Sequence, residues 1–205
     1  MSFDLTDEEG IFAVKLSRRA IAEHLKNEMK ISPPKDAPKK METKCGVFVT
    51  LSKKVGTSKE LRGCIGYPEP IMPLVKAIID SAINAAFSDP RFSPLSNEEL
   101  TKTIVEVSVL TPLQLIKVND PNDYSKQIKI GADGLVVERG WNRGLLLPQV
   151  PVEWKWDADE FLVQCCMKAG LPPDAWLTPE TKVYKFQAII FEEESPNGAI
   201  KKVRV

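Results

Sequence analysis

Histidine is nearly absent from this chain: His24 is the only one, and the four cysteines, Cys45, Cys64, Cys165 and Cys166, include no C-x-x-C spacing. A zinc site needs Cys and His clustered at short intervals, so no metal centre is expected, and the vicinal Cys165-Cys166 pair does not supply one. Glycine-rich phosphate loops of the GxxxxGK[ST] or GxGxxG kind are missing too. No apolar run reaches the length of a bilayer span, which gives the expectation of no membrane. The start, Met1-Ser2-Phe3-Asp4, lacks the basic opening and apolar stretch of a signal peptide, so a cytoplasmic protein with reduced thiols is expected. An excess of either charge is also lacking, with 28 basic and 28 acidic residues. A protein that neutralises many phosphates usually carries a basic excess, so broad electrostatic binding of nucleic acid is disfavoured while a local basic patch stays open.

What is present is ordinary globular material, 205 residues of which 43% are hydrophobic and 27% charged. That length suits one large domain or two small lobes with enough buried surface to fold unaided. Thr6-Asp7-Glu8-Glu9 predicts a helix start, with Thr6 as cap and Glu9 reaching back. Ile11, Val14, Ile21 and Leu25 then recur at helical spacing, with His24 beside that face. Residues 29–44 are rich in Pro and Lys and predict an exposed loop. Val47, Val49 and Leu51 alternate, as do Leu61, Gly63 and Ile65, and the polar stretch Ser52 to Glu60 joins them as a long-looped hairpin. Ile71 to Phe87 predicts a helix with Pro73 in its first turn. Asp89-Pro90-Arg91-Phe92 breaks it, and Ser96-Asn97-Glu98-Glu99 opens a short helix with a second capping box. Val105, Val107 and Val109 predict a half-buried strand, and Ile128 to Ile130 a further short one. Leu135–Glu138 and Leu145–Leu147 flank a second hairpin around Trp141, read as packing back on its own sheet. A helix from Asp157 with the stripe Phe161, Leu162, Cys165, Cys166 and Ala169 ends at Gly170, and Tyr184, Phe186, Ala188 and Ile190 alternate in a late strand. Without regular βαβ alternation the class is α+β.

The segment that invites chemistry is Leu61-Arg62-Gly63-Cys64-Ile65-Gly66. If Val47, Val49, Leu51, Leu61 and Ile65 face the core, period-2 alternation sends Arg62 and Cys64 to the opposite face with Phe48 and Thr50. A cysteine beside an arginine is in an electropositive setting that favours the thiolate. Gly63 and Gly66 admit a ligand or another backbone, or else mark a bulge or tight turn. Glu106, on the open face of its strand, Asp89 and Arg91 complete the polar set, although Asp89-Pro90-Arg91 also reads as a rigid turn with a local ion pair. A nucleophilic cysteine usually has a histidine within reach, and only His24 is available.

Leu61-Arg62-Gly63-Cys64-Ile65-Gly66 resembles the signature hexapeptide of the AMMECR family. Gly46-Val47-Phe48-Val49-Thr50-Leu51, Asp89-Pro90-Arg91-Phe92, Glu106-Val107-Ser108-Val109-Leu110-Thr111-Pro112, Gly144-Leu145-Leu146-Leu147-Pro148-Gln149-Val150 and Cys166-Met167-Lys168-Ala169-Gly170-Leu171 are similar to further family motifs. The resemblance spans nearly the whole chain and implies a stand-alone domain over residues 1–205. It implies an α+β fold with a mixed sheet flanked by helices and two lobes sharing a groove, the hexapeptide lying at the groove. It also implies an unsettled molecular activity, an unknown cofactor, Memo-like or radical-SAM partners, and a fold akin to ones that bind nucleotides, nucleic acids or peptides. Three readings of the site follow. A binding or accessory module would hold a ligand or partner over Arg62, Gly63, Gly66, Asp89 and Arg91; a thiol enzyme would use Cys64 as nucleophile with Glu106 or Asp89 moving protons; a structural motif would use the glycines and Cys64 for packing alone.

Overall fold

The computed structural model describes residues 3–56 and 58–203. They form two compact units, one holding the chain up to Leu110 together with the segment from Ile189, the other Thr111–Ala188.

In the first unit, helix α1 (Asp7–Asn27) starts at the expected capping box: the Thr6 hydroxyl accepts the Glu9 N–H at 3.2 Å and the Glu9 carboxylate accepts the Thr6 N–H at 2.8 Å. Its most buried face is built from small residues, Gly10, Ala13, Ser17 and Ala20, together with Val14 and Ile21. A Cβ on Gly10 would lie 2.3 Å from the Phe191 ring, so the helix sits directly on that side chain. Strands β1 (Gly46–Val55), β2 (Ser58–Tyr67), β3 (Thr103–Leu110), β7 (Lys182–Glu193) and β8 (Ile200–Val203) supply the sheet. Its order is β2-β1-β3-β7, with β8 also on β7. Between β2 and β3 the chain passes through α2 (Leu74–Phe87), which packs on β1 and β2, and the single turn α3 (Asn97–Leu100). Val47, Val49 and Leu51 pair with Val109, Val107 and Val105, and all six are buried beneath the helices.

The α+β class holds. Every strand pair whose register is resolved is antiparallel, a narrower arrangement than a mixed sheet. The reason is connectivity: β1–β2 is a hairpin, and the helical crossover from β2 to β3 places those strands on opposite sides of β1. Pro73 caps α2 instead of entering its first turn. Residues 29–44 are mostly exposed or half-buried, but Met41, in the one-turn helix Lys39–Glu42, is fully buried. His24 lies against Phe87, their rings 4.6 Å apart.

In the second unit, β4 (Gln114–Leu115), β5 (Asp133–Arg139) and the Lys182–Ala188 part of β7 pair in a sheet continued by β6 (Asn142–Leu146). Helix α5 (Ala158–Lys168) lays Phe161, Leu162, Cys165 and Cys166 against Leu135, Val137 and Val183. The short strands β4 and β8 and the helix α4 (Gln149–Trp154) carry too little periodicity to show in the sequence. Ile128–Ile130 is no strand: a one-turn helix, Ser125–Gln127, runs into it, and Ile128 is buried in the core. Trp141 does not fold back on its sheet. It occupies the two-residue turn between β5 and β6 and is fully exposed, because Gly140 at φ +59° gives a tight turn whose tip points away from the strands.

Arg18 closes the first unit. Its guanidinium grips both Glu193 carboxylate oxygens at 2.5 Å and donates to the Leu100 and Thr103 carbonyls, while Glu193 also accepts the Val105 N–H at 3.0 Å. One ion pair thus ties α1, α3, β3 and β7. Removing one partner of such a pair leaves a buried uncompensated charge, so Glu193→Ala is expected to cost about 3 kcal/mol of stability in chemical denaturation. The apolar double replacement Arg18→Met with Glu193→Leu is expected to recover most of that loss.

Candidate functional site

Strand β2 is the outer strand of its sheet. Its pairing with β1 runs Val49↔Ile65, Thr50↔Cys64 and Leu51↔Gly63, then slips, because Ser52 faces Leu61. Arg62 is the unpaired residue of this bulge. Strict alternation puts Leu61 in the core and Arg62 beside Cys64 on the open face, and the bulge reverses both. Leu61 is exposed, and Arg62 is 6% exposed. An extra residue bends its strand and redirects the side chains on either side.

Arg62 enters a prepared socket. Its Nε and Nη2 donate to the two Glu99 oxygens at 3.0 and 3.1 Å, Nη2 donates to the Ser93 carbonyl at 2.7 Å, and the Phe92 ring lies 5.6 Å from the guanidinium carbon. Glu99 also accepts from Lys53 and from the Ser96 N–H that it caps. The Arg62 bonds first, and then Lys53, hold the Glu99 carboxyl down at about 2. Arg62 thereby fixes the segment after α2.

The two glycines are close-approach residues. A Cβ on Gly63 would stand 2.1 Å from the Ala85 carbonyl oxygen of α2, and one on Gly66 would stand 2.2 Å from the Val47 carbonyl oxygen. Neither distance is attainable by real atoms, so these positions set how tightly α2 and β1 press on β2.

Asp89, 4% exposed, accepts the Cys64 N–H at 2.9 Å and takes a two-pronged grip from Arg91, whose Nε and Nη2 stand 2.9 and 2.7 Å away. That grip, helped by the Cys64 N–H, holds the Asp89 carboxyl well below the usual range. Arg91 Nη2 also reaches the Cys64 carbonyl at 3.5 Å. Both outward main-chain groups of Cys64 on this edge strand are thus occupied, which blunts pairing with a foreign strand. The cation nearest the Cys64 main chain is therefore Arg91, with its side chain 53% exposed, and not Arg62.

With those residues engaged in structure, the open face keeps a short polar row. Cys64 pairs with Thr50, and Thr50 pairs with Glu106, so the three side chains stand abreast across β2, β1 and β3. All three are half-buried. The Thr50 hydroxyl donates to the Cys64 sulfur at 3.4 Å, and the Ser108 hydroxyl donates to Glu106 at 3.1 Å. Burial pushes the Glu106 carboxyl up, and the Glu192 carboxylate adds to that, with the Ser108 bond opposing. Glu192 is buried and ion-paired with Lys59. The other thiols are inert by environment. Burial raises Cys45 to about 11 and Cys165 to about 12, and raises Cys166 as well. Among the described residues no cluster of three or more His, Cys, Asp or Glu could hold a metal ion.

The AMMECR1 family profile matches residues 14–191. The chain belongs to the AMMECR1 family. Protein PH0010 of Pyrococcus horikoshii is 57% identical over 203 residues, covering 98% of each chain. A Methanothermobacter thermautotrophicus protein is 56% identical over 190 residues, covering 93% of this chain and 97% of its own. The crystal structure of PH0010, described there as uncharacterized, aligns with a TM-score of 0.84 over 99% of this chain and all of that one, at 56% identity. These AMMECR1-family relatives show the fold and family and carry no stated activity.

Glu99, Glu192 and Lys59 escaped the sequence reading as site residues. Glu99 shows itself only as a helix cap, and its partner Arg62 lies 37 positions away. Two outcomes are expected of this AMMECR1-family site. Gly63→Ala should lower stability by roughly 1–3 kcal/mol through overpacking against α2, whereas Cys64→Ala should change it by less than about 1 kcal/mol, both read by urea denaturation. Glu99 has a depressed folded pKa, so its contribution is fully present above the ordinary value of 4.5 and is lost as pH falls toward about 2. Glu99→Gln should flatten the acid limb of a stability–pH profile across that window.

Proposed function

We propose that this AMMECR1-family chain is a cytoplasmic binding or accessory module that offers the Cys64–Thr50–Glu106 row, with Arg91 at its margin, to a ligand or partner. The observation that carries this reading is the division of labour within Leu61–Gly66. Arg62 is engaged by Glu99, and Gly63 and Gly66 are filled by α2 and β1, while Cys64 stays half-buried beside the Thr50 hydroxyl, in a row with Glu106. Half-buried polar groups on an open sheet face lose little on being covered by a partner that supplies matching hydrogen bonds. The family resemblance points to Memo-like or radical-SAM proteins as partners in a modification pathway, with Arg62, Gly63, Gly66 and Asp89 supporting the surface and Arg91 touching what binds.

Use of Cys64 as a nucleophile, with Glu106 as the proton carrier, is the second reading. It is favoured by the Thr50 hydroxyl at 3.4 Å and the raised Glu106 carboxyl, and disfavoured by the position of the single histidine against Phe87.

The binding reading is tested by footprinting. In the free protein, alkylation followed by mass spectrometry should modify Cys64 and spare Cys45, Cys165 and Cys166. Adding a Memo-like or radical-SAM partner from the same organism at about ten times the Kd of the complex should slow Cys64 modification roughly tenfold, because only the unbound tenth of the protein then reacts. Thr50→Trp, which places bulk on the face without touching Arg62, should abolish that protection. Unchanged alkylation with such partners present would overturn the proposal.

A further inference from the structure

The second unit holds a small polar cavity of about 120 Å³ lined by Thr111, Gln114, Asp133, Lys185, Phe186 and Gln187. It arises from a slip in strand pairing. Gln114 faces Lys185 in the β4–β7 ladder, whereas Thr111 exchanges bonds with Gln187: its N–H donates to the Gln187 carbonyl and its hydroxyl accepts the Gln187 N–H, each at 2.8 Å. Three residue steps, Thr111 to Gln114, therefore lie against two, Lys185 to Gln187. Pro112, which has no N–H to offer the ladder, lies in the stretch that swings out. The space left beside β7 is fitted with side chains that belong to neighbouring rows, since Asp133 pairs with Gln187 across β5 and β7.

The anchor of the cavity is Asp133, only 1% exposed. One carboxylate oxygen accepts the Lys129 N–H at 3.0 Å, and the other accepts the Gln187 side-chain amide at 3.0 Å. Lys185 Nζ stands 3.5 Å from the first oxygen and donates to the Gln127 carbonyl at 2.7 Å. Each carboxylate oxygen can accept two bonds and an ammonium can donate three, so acceptor capacity remains on Asp133 and a donor remains on Lys185. The Gln187 side-chain oxygen and the Thr111 hydroxyl proton add one acceptor and one donor. The carboxylate and the ammonium cancel, so a ligand with a full net charge gains nothing from the pair.

We propose that this cavity is a binding site for a small carboxamide. The ligand's NH₂ group would donate to Asp133 and the Gln187 side-chain oxygen, and its carbonyl oxygen would accept from Lys185. Size agrees: a cavity of roughly 150 Å³ accommodates the six carbons of a benzene ring, so about 120 Å³ admits a molecule of roughly four or five non-hydrogen atoms. A carboxamide satisfies both halves of the Asp133–Lys185 pair at once, which a carboxylate or a ketone of the same shape cannot do. The site is separate in sequence and sheet register from the Cys64 row, and stands or falls independently of it.

The probe is acetamide, with acetate and acetone as near-isosteric controls, followed by ¹H–¹⁵N correlation spectra of the full chain. Acetamide is expected to shift the main-chain signals of Thr111 and Gln187 and the side-chain amide signals of Gln114 and Gln187 saturably, at least roughly tenfold more tightly than either control, as loss of one paired buried hydrogen bond predicts. Gln187→Met, at an exposed position, should weaken acetamide roughly tenfold, and Lys185→Met should weaken it similarly, with the native fold of each variant checked by its amide spectrum before titration. Absence of saturable shifts, equal binding of acetone or acetate, or unchanged affinity in both variants would each mean that the cavity holds water only, and would overturn the proposal.

Discussion

Where the β1–β2 ladder slips between Leu51 and Ser52, the guanidinium of Arg62 is carried from the open face into a socket of Glu99, Ser93 and Phe92. Much of the first unit's site depends on that displacement. It anchors the turn after α2, which brings Asp89 to the main chain of Cys64 and Arg91 to its carbonyl. It also leaves Cys64 beside Thr50 and Glu106 without the Arg62 guanidinium on the same face. A single bulge therefore separates the residues that hold the structure from those that remain available.

The charges of the first unit follow the same economy. Arg18 with Glu193 and Arg62 with Glu99 are forked pairs whose cations are largely buried, and each also satisfies main-chain carbonyls. Buried ion pairs of this kind contribute less net stability than their contacts suggest, but they penalise any arrangement that leaves one partner unmatched. They specify which loop lies against which strand. Glu106 differs, since burial and a neighbouring carboxylate favour its neutral form. A carboxyl that holds its proton more firmly can both donate and accept a hydrogen bond.

Zero net charge directs attention to local complementarity instead of long-range steering. In the second unit the same theme recurs in another form, with Asp133 and Lys185 meeting at a slipped register on β7. Both features arise where a strand ladder departs from regular pairing, the places where a sheet can turn polar groups toward a cavity or an open face.

The sequence by itself determined the class, the two capping boxes at Thr6 and Ser96, the extents of the main helices to within a few residues and the Val47–Val49–Leu51 core face. These are local matters of period, cap and composition, and they are written in adjacent residues. Only the tertiary structure decided that Arg62 turns inward, that Arg91 replaces it near Cys64, that Gly63 and Gly66 are filled by backbone, that Trp141 stands free and that Ile128–Ile130 forms no strand. Each of those outcomes depends on a partner far along the chain or on a shift of one residue in register. Alternation cannot signal such a shift, because a bulge leaves the pattern on either side intact and exchanges only which face it serves.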